Sequence, residues 1–179
     1  MSVVRGWCPS AHRPMMSGDG MLVRVRPRFA AISAEGLRGL ARLSRGFGNG
    51  YIDLTSRGNL QLRGVLRERH DALLAELIGA GLVDPDPLRE RLVTVTPFWR
   101  AGDASEELAR IVEMALGGLP EMPGKVSVLV DAGAVRHLSE VSGDFRLERS
   151  VGGLILRADG AEAGWPVTVD RAAEALGEM

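Results

Sequence analysis

Arg24 and Arg26 lie two residues apart, and Thr55, Arg57, Asn59, Gln61 and Arg63 occupy every second position from 55 to 63. In an extended chain, side chains two apart share a face. These residues predict a surface of guanidinium forks with amide and hydroxyl groups between them. Each fork takes a carboxylate or phosphate bidentately, which an ammonium does not. The chemistry this suits is capture of a small anion carrying several carboxylates. A merely solvated face is the plain alternative, but solvated faces mix signs, and here only Asp53 offsets the arginines. Nucleic acid fits less well, because RNA-binding sheets stack bases on several aromatics and only Tyr51 is available.

The elements that must hold these residues follow from periodicity. Met21–Arg26 reads as a strand with Met21, Val23 and Val25 turned to a core and the arginines turned away. Ser33 predicts the cap of a helix running to Arg45, with Leu37, Leu40 and Leu43 on one stripe. Gly46–Gly50 then ends it. That glycine run follows a helix and enters a strand, the reverse of a phosphate-cradling loop. Tyr51–Thr55 and Asn59–Val65 alternate and are joined by Ser56, Arg57 and Gly58, which predicts a hairpin with Ile52, Leu54, Leu60 and Leu62 under the helices. Arg67–Ile78 predicts a second helix, apolar at Leu73, Leu74, Leu77 and Ile78. The order β-α-β-β-α predicts an α+β fold: most of a ferredoxin-like split βαβ unit over residues 1–84, with both helices on one face.

Asp84-Pro85-Asp86-Pro87 reads as a stiff connector. A second region, 88–179, follows it. There Arg91–Thr96 predicts a strand, Ser105–Leu116 a helix capped by Ser105, and Lys125–Asp131 an alternating strand. Phe145–Glu148 and Leu154–Arg157 predict a hairpin, and Asp170 opens a last short helix. A two-turn helix is marginal alone, so this region reads as an incomplete domain.

Charge divides the chain in the same way. The 179 residues carry 22 basic and 23 acidic side chains, yet residues 1–69 hold 12 arginines against 4 acids and residues 70–179 hold 10 basic against 19 acidic. The first part suits an anionic ligand. Lys125 is the single lysine, a bias that GC-rich codon usage explains as readily as function. One cysteine, Cys8, excludes an internal disulfide, a Cys-rich zinc site and a self-contained iron–sulfur cluster, which takes about four thiolates. His12, His70 and His137 show no ligand spacing, so no metal site is expected, and no nucleophile–base set assembles to name a catalytic residue. Met1–Met16 lacks the apolar core of a signal peptide, and the apolar stretches Leu73–Val83 and Val126–Val135 are too short to span a bilayer. A cytoplasmic protein without membrane or nucleic-acid partners is the expectation.

The stretch Thr55-Ser56-Arg57-Gly58-Asn59-Leu60-Gln61 resembles the Thr-x-Arg-x-x-x-Gln signature of the nitrite/sulfite reductase ferredoxin-like half-domain family. Within that family, Arg5-Gly6-Trp7-Cys8-Pro9, Met16-Ser17-Gly18-Asp19-Gly20 and Val23-Arg24-Val25-Arg26-Pro27 look like the start of the precorrin-3B synthases. Val141–Arg149 and Leu156–Ala161 look like their middle. The resemblance implies a half domain followed by part of a tetrapyrrole- and 4Fe–4S-binding α+β domain. It implies the N-terminal half of an oxidoreductase of aerobic cobalamin biosynthesis, which oxygenates the polycarboxylate tetrapyrrole precorrin-3A where reductases hold siroheme. It makes Arg57 a tetrapyrrole contact and Thr55, Gln61 and Arg63 its neighbours, and it adds Arg91 and Lys125. Reductases carry an Asn where Leu92 stands and a second lysine where Ser127 stands, so sulfite or nitrite reduction is disfavoured. A non-catalytic tetrapyrrole-binding module is the alternative, with a reductase fragment or an RNA-binding module behind it. The resemblance further implies no cofactor in this chain alone. It also implies either a homodimer, two arginine faces closing on one cleft, or a cysteine-bearing second half.

Overall fold

The computed structural model describes residues 8–87, 90, 92–96, 104–118 and 126–179. It divides into two compact units, Met1–Glu90 and Arg91–Met179. The fold is α+β, as the patterning predicts.

The first unit holds a four-stranded antiparallel sheet in the order β1-β2-β4-β3, formed by β1 (Met15–Ser17), β2 (Gly20–Val25), β3 (Ile52–Leu54) and β4 (Leu60–Val65). Helices α1 (Ala34–Phe47) and α2 (His70–Gly79) pack on one face of it. Ser33 caps α1 as expected, its hydroxyl accepting from the Gly36 N–H at 3.0 Å. Met21, Val23, Val25, Leu60 and Leu62 meet Leu40, Leu73 and Leu77 in one core. Burying a leucine contributes roughly 1.5–3 kcal/mol, so the alternation of β2 and β4 fixes which face is open.

Two leucines depart from the expected stripe. Leu37 is 44% exposed on the flank of α1, and Leu54 is 81% exposed because β3 is an edge strand that no helix covers. Strand β1 was not expected; it is too short to show a period and pairs with β2 across a two-residue turn, Ser17 opposite Gly20. Helix α2 begins at His70, after a 3-10 turn over Arg67–Arg69.

The second unit holds a five-stranded mixed sheet in the order β5-β6-β7-β8-β9: β5 (Leu92–Val95), β6 (Ser127–Asp131), β7 (Phe145–Ser150), β8 (Gly153–Ala158) and β9 (Trp165–Val167). The first three strands run parallel and the last three antiparallel. Helix α3 (Ala104–Gly118) packs on β5 and β6, and α4 (Ala172–Gly177) on β8 and α3. Ser105 is the second residue of α3 and buried, so it is not the cap. All five residues of β6 are buried, which corrects the half-exposed reading. A parallel strand inside a sheet is covered on both faces. No helix among the described residues is long and apolar enough to cross a membrane.

Candidate functional site

The residues expected on the arginine face do different things. Arg24 on β2 stands opposite Gln61 on β4, and Gln61 stands opposite Asp53 on β3. These three form a row across the sheet on the face away from α1 and α2. Arg24 is half-buried, its Nε is buried without a hydrogen-bond partner, and it makes no ion pair among the described residues. A buried donor left unmade costs about 1–3 kcal/mol. Arg26 Nε is orphaned in the same way, but Arg26 engages Glu90 through a terminal nitrogen, whereas Arg24 makes no hydrogen bond at any guanidinium nitrogen among the described residues.

The signature hairpin closes the same end of the sheet. Gly58 N–H donates to the Thr55 carbonyl at 3.1 Å, and Thr55 N–H to the Asn59 carbonyl at 3.0 Å. The Thr55 hydroxyl accepts from Asn59 N–H at 3.1 Å, so Thr55 holds the turn. Asn59, expected on the open face, is 4% exposed. Its place at the hairpin base buries it. Gly58 has φ +66°, and a Cβ there would lie 2.8 Å from Ala30 Cβ. Phe29 (φ 58°) and Ala30 (φ 56°) are themselves left-handed. Each such non-glycine residue costs on the order of 1–3 kcal/mol, and such strain concentrates at ligand-clamping sites. Here it presses Ala30 against the turn that carries Arg57, beside the end of β2. Arg28 lies over the Phe29 ring, 4.6 Å from its centroid.

Arg26 and Arg63 are committed within the unit. Arg26 donates through a terminal guanidinium nitrogen to the Glu90 carbonyl at 2.9 Å, which fastens Glu90 to the sheet end. Arg63 donates through Nε to Asp19 Oδ2 at 3.3 Å and through a terminal nitrogen to Asp19 Oδ1 at 3.2 Å. It also reaches the Ser17 hydroxyl at 3.2 Å and Asp53 at 3.5 Å. Asn49 donates to Asp19 Oδ2 at 3.0 Å. Arg63 is therefore a clasp tying β1, the β1–β2 turn and β3, and not a free fork. Asp53 is thus not the only offsetting carboxylate. Asp19 joins it, brought in by the unexpected β1–β2 turn; the sequence signal was Gly18-Asp19-Gly20 between two apolar runs. Arg91 and Lys125 lie outside the described residues.

The second unit contains a polar cluster that sequence reasoning missed. Glu148, 1% exposed, accepts from Arg157 Nε at 2.7 Å and from Arg146 Nε at 3.5 Å, with Arg136 at 3.9 Å. Arg146 also donates to the Leu138 and Val141 carbonyls at 2.6 and 2.7 Å and to Asp159 at 3.1 Å. Buried Asp131 accepts from the N–H groups of His137 and Leu138. Together they pin the loop after β6. A cavity of about 800 Å3 lies by β8, β9 and α4, lined by apolar residues such as Leu154, Leu156 and Val167. It shares no residue with the arginine face.

The clasp predicts a pH effect. Arg63 beside Asp19 holds that carboxyl below the ordinary aspartate range. A carboxyl whose pKa falls on folding stabilises the fold above its unfolded value, and that contribution is lost as pH drops through the folded one. Burial pushes the Glu90 carboxyl up, so its titration runs the other way and favours the fold at low pH. Urea unfolding from about pH 6 to about pH 2.5 should show a shallower acid loss in Asp19→Asn than in wild type. Identical pH profiles would mean that Asp19 and Arg63 are not paired in solution.

Similarity to known proteins points in one direction. The nitrite/sulfite reductase ferredoxin-like half-domain family matches residues 13–80. A precorrin-3B synthase from Sinorhizobium sp is 36% identical over 156 residues, 82% of this chain and 33% of that protein. The chain thus spans about a third of that relative's length. The structure of the Mycobacterium tuberculosis NirA protein matches with a TM-score of 0.64 at 16% identity, over 92% of this chain and 35% of NirA. At that identity the likeness establishes the fold alone.

Proposed function

We propose, for a chain that carries a nitrite/sulfite reductase ferredoxin-like half domain and is similar to precorrin-3B synthase, that its open sheet face binds a polycarboxylate tetrapyrrole of the precorrin-3A class. On this reading the chain contributes substrate binding to an oxidoreductase of cobalamin biosynthesis. The observation that carries it is Arg24: a half-buried guanidinium with an unmatched Nε, in line with Gln61, on the strand whose end leads to the left-handed Phe29–Ala30 pair beside the turn that carries Arg57. Arg24 and Arg57 would each take one peripheral carboxylate, and the Gln61 amide would orient the group between them. Asp53 at the far end of the row limits how far an anion can slide across the sheet.

The family's 4Fe–4S cluster does not fit these residues. It takes about four thiolates, and the chain has Cys8 alone. No group of three or more His, Cys, Asp or Glu is arranged to hold a metal among the described residues. The tetrapyrrole, by contrast, suits a donor set made of guanidinium and amide groups.

A charge-assisted contact contributes about 1.5–3 kcal/mol. Arg24→Met should therefore weaken uroporphyrin binding about tenfold or more, read by fluorescence titration, with an unchanged circular dichroism spectrum. Coproporphyrin, with fewer carboxylates, should bind more weakly than uroporphyrin to the wild type. Equal uroporphyrin affinity in wild type and Arg24→Met would remove the arginine face from the ligand site.

A further inference from the structure

The cavity of about 800 Å3 in the second unit plays no part in the tetrapyrrole reading. Pockets for small ligands enclose about 300–1,000 Å3 behind mostly apolar walls that carry a few polar groups, and this one has that make-up. Leu154, Leu156 and Val167 come from the sheet, and Ala175 and Met179 from α4 and the residues after it. Register sets Trp165 opposite Leu156 and Val167 opposite Leu154, so these four share one face of β8 and β9. Trp165 lines the cavity, yet 64% of it stays open to solvent. At the β7–β8 turn, Gly152 and Gly153 border the cavity, and a Cβ at either would meet nothing within 4 Å. The mouth is open on that side.

The charges at the rim favour one sign of ligand. Arg171 and Glu178 line the cavity. Arg171 is already engaged, its Nε donating to Glu174 at 3.0 Å. That bond, together with the charges of Glu178 and Asp170, pushes the Arg171 pKa up. Asp170, Glu174 and Glu178 thus surround a single guanidinium, and the rim is net negative. The Glu178 side chain makes no hydrogen bond or ion pair of its own among the described residues. Arg149 stands opposite Leu154 but is turned away, its Nε donating to the Ala132 and Gly133 carbonyls at 2.9 and 3.1 Å. Arg157 is on the opposite face, with Glu148. No basic side chain other than Arg171 lines the cavity among the described residues.

We propose that this cavity binds a small organic cation with a flat apolar body, the body lying against Trp165, Leu154 and Val167 and the charged group directed to Glu178. An indole face attracts a cation through its ring quadrupole, and more strongly where water is thinned out. The carboxylates of the rim add a field that draws a cation in and turns an anion away. A strand from another chain added along β9 is the rival occupant of this edge. Pro166 in the middle of β9 has no N–H to offer it, and proline on an edge strand blocks such pairing. A site of this kind is chemically the opposite of the arginine face, and a failure of tetrapyrrole binding leaves it intact.

Isothermal titration of the full chain at neutral pH with proflavine, a tricyclic aromatic cation, and with acridine, the same ring system uncharged, tests it. The wild type should bind proflavine at one saturable site and acridine about fivefold or more weakly. Trp165→Leu keeps apolar volume but removes the indole face, and should weaken proflavine more than acridine. Glu178→Lys should bring the two ligands to similar affinity, and added salt should narrow their gap in the wild type. Both side chains are exposed, so both variants should fold, which circular dichroism checks; if one does not, the other alone against wild type decides. Absence of saturable proflavine binding, acridine bound as tightly as proflavine, or a preference that the folded variants leave untouched would each overturn the proposal.

Discussion

Glu148→Ala should destabilise the second unit by about 3–5 kcal/mol, the cost of breaking a buried ion pair by removing one partner. Glu148 is 1% exposed and Arg146 3%, so neither is screened by water once the other is gone. The loss would leave Arg146 and Arg157 without their shared carboxylate. Replacement with glutamine keeps an acceptor and should cost less. The double change E148L/R157M should recover much of the loss, because removing both charges avoids an uncompensated one. Arg146→Met should not be rescued by any change at 148. Its other bonds go to Asp159 and to the Leu138, Ser139 and Val141 carbonyls, which a change at 148 does not reach. Urea unfolding of the four variants checks this order; a near-neutral Glu148→Ala would mean that the cluster is wet and weakly coupled.

That cluster also marks the limit of what the sequence discloses. Arg146, Glu148 and Arg157 stand in stretches singled out by resemblance, yet nothing local says that they meet. Their pairing depends on the register that sets Arg146 opposite Arg157 across β7 and β8, and on a loop folding back over that face. Period-2 alternation, by contrast, is local. It placed Met21, Val23, Val25, Leu60 and Leu62 in one core and Arg24 and Gln61 on the other face. It misled at Leu54, because alternation identifies a face but not whether a helix reaches its edge.

The candidate site was legible in the same partial way. Arg24, Gln61 and the Arg57 turn lie where alternation puts them. The fates of Arg26 and Arg63 were hidden, since each is settled by a residue far away in the chain: Glu90 for one, Asp19 for the other. The turn after the short strand β1 supplied the missing carboxylate, Asp19.

Gly46 and Gly48, both in the run first read as helix termination, should respond to alanine with opposite signs. At Gly46, inside α1, a Cβ meets nothing within 4 Å. Alanine there should stabilise the first unit by up to about 1 kcal/mol, through helix propensity and a less flexible unfolded chain. Gly48 has φ −123° and ψ −154°, an extended conformation open to any residue, so backbone strain is not its reason for being glycine. The reason is contact. A Cβ at Gly48 would lie 2.3 Å from the Arg63 carbonyl oxygen, the atom that accepts from Asn49 N–H at 2.9 Å. Alanine must therefore lift the α1–β3 loop off β4. That strains the Asn49–Arg63 bond and draws the Asn49 side chain away from Asp19, so the clasp holding the β1–β2 turn loosens with it. Overpacking of this kind costs about 1–3 kcal/mol. The effect should appear as a lower urea midpoint and as faster amide exchange at Asn49. If Gly48→Ala proves neutral while Gly46→Ala stabilises, the loop does not rest on β4 as closely as its glycine implies, and the support assigned to Asp19 falls with it.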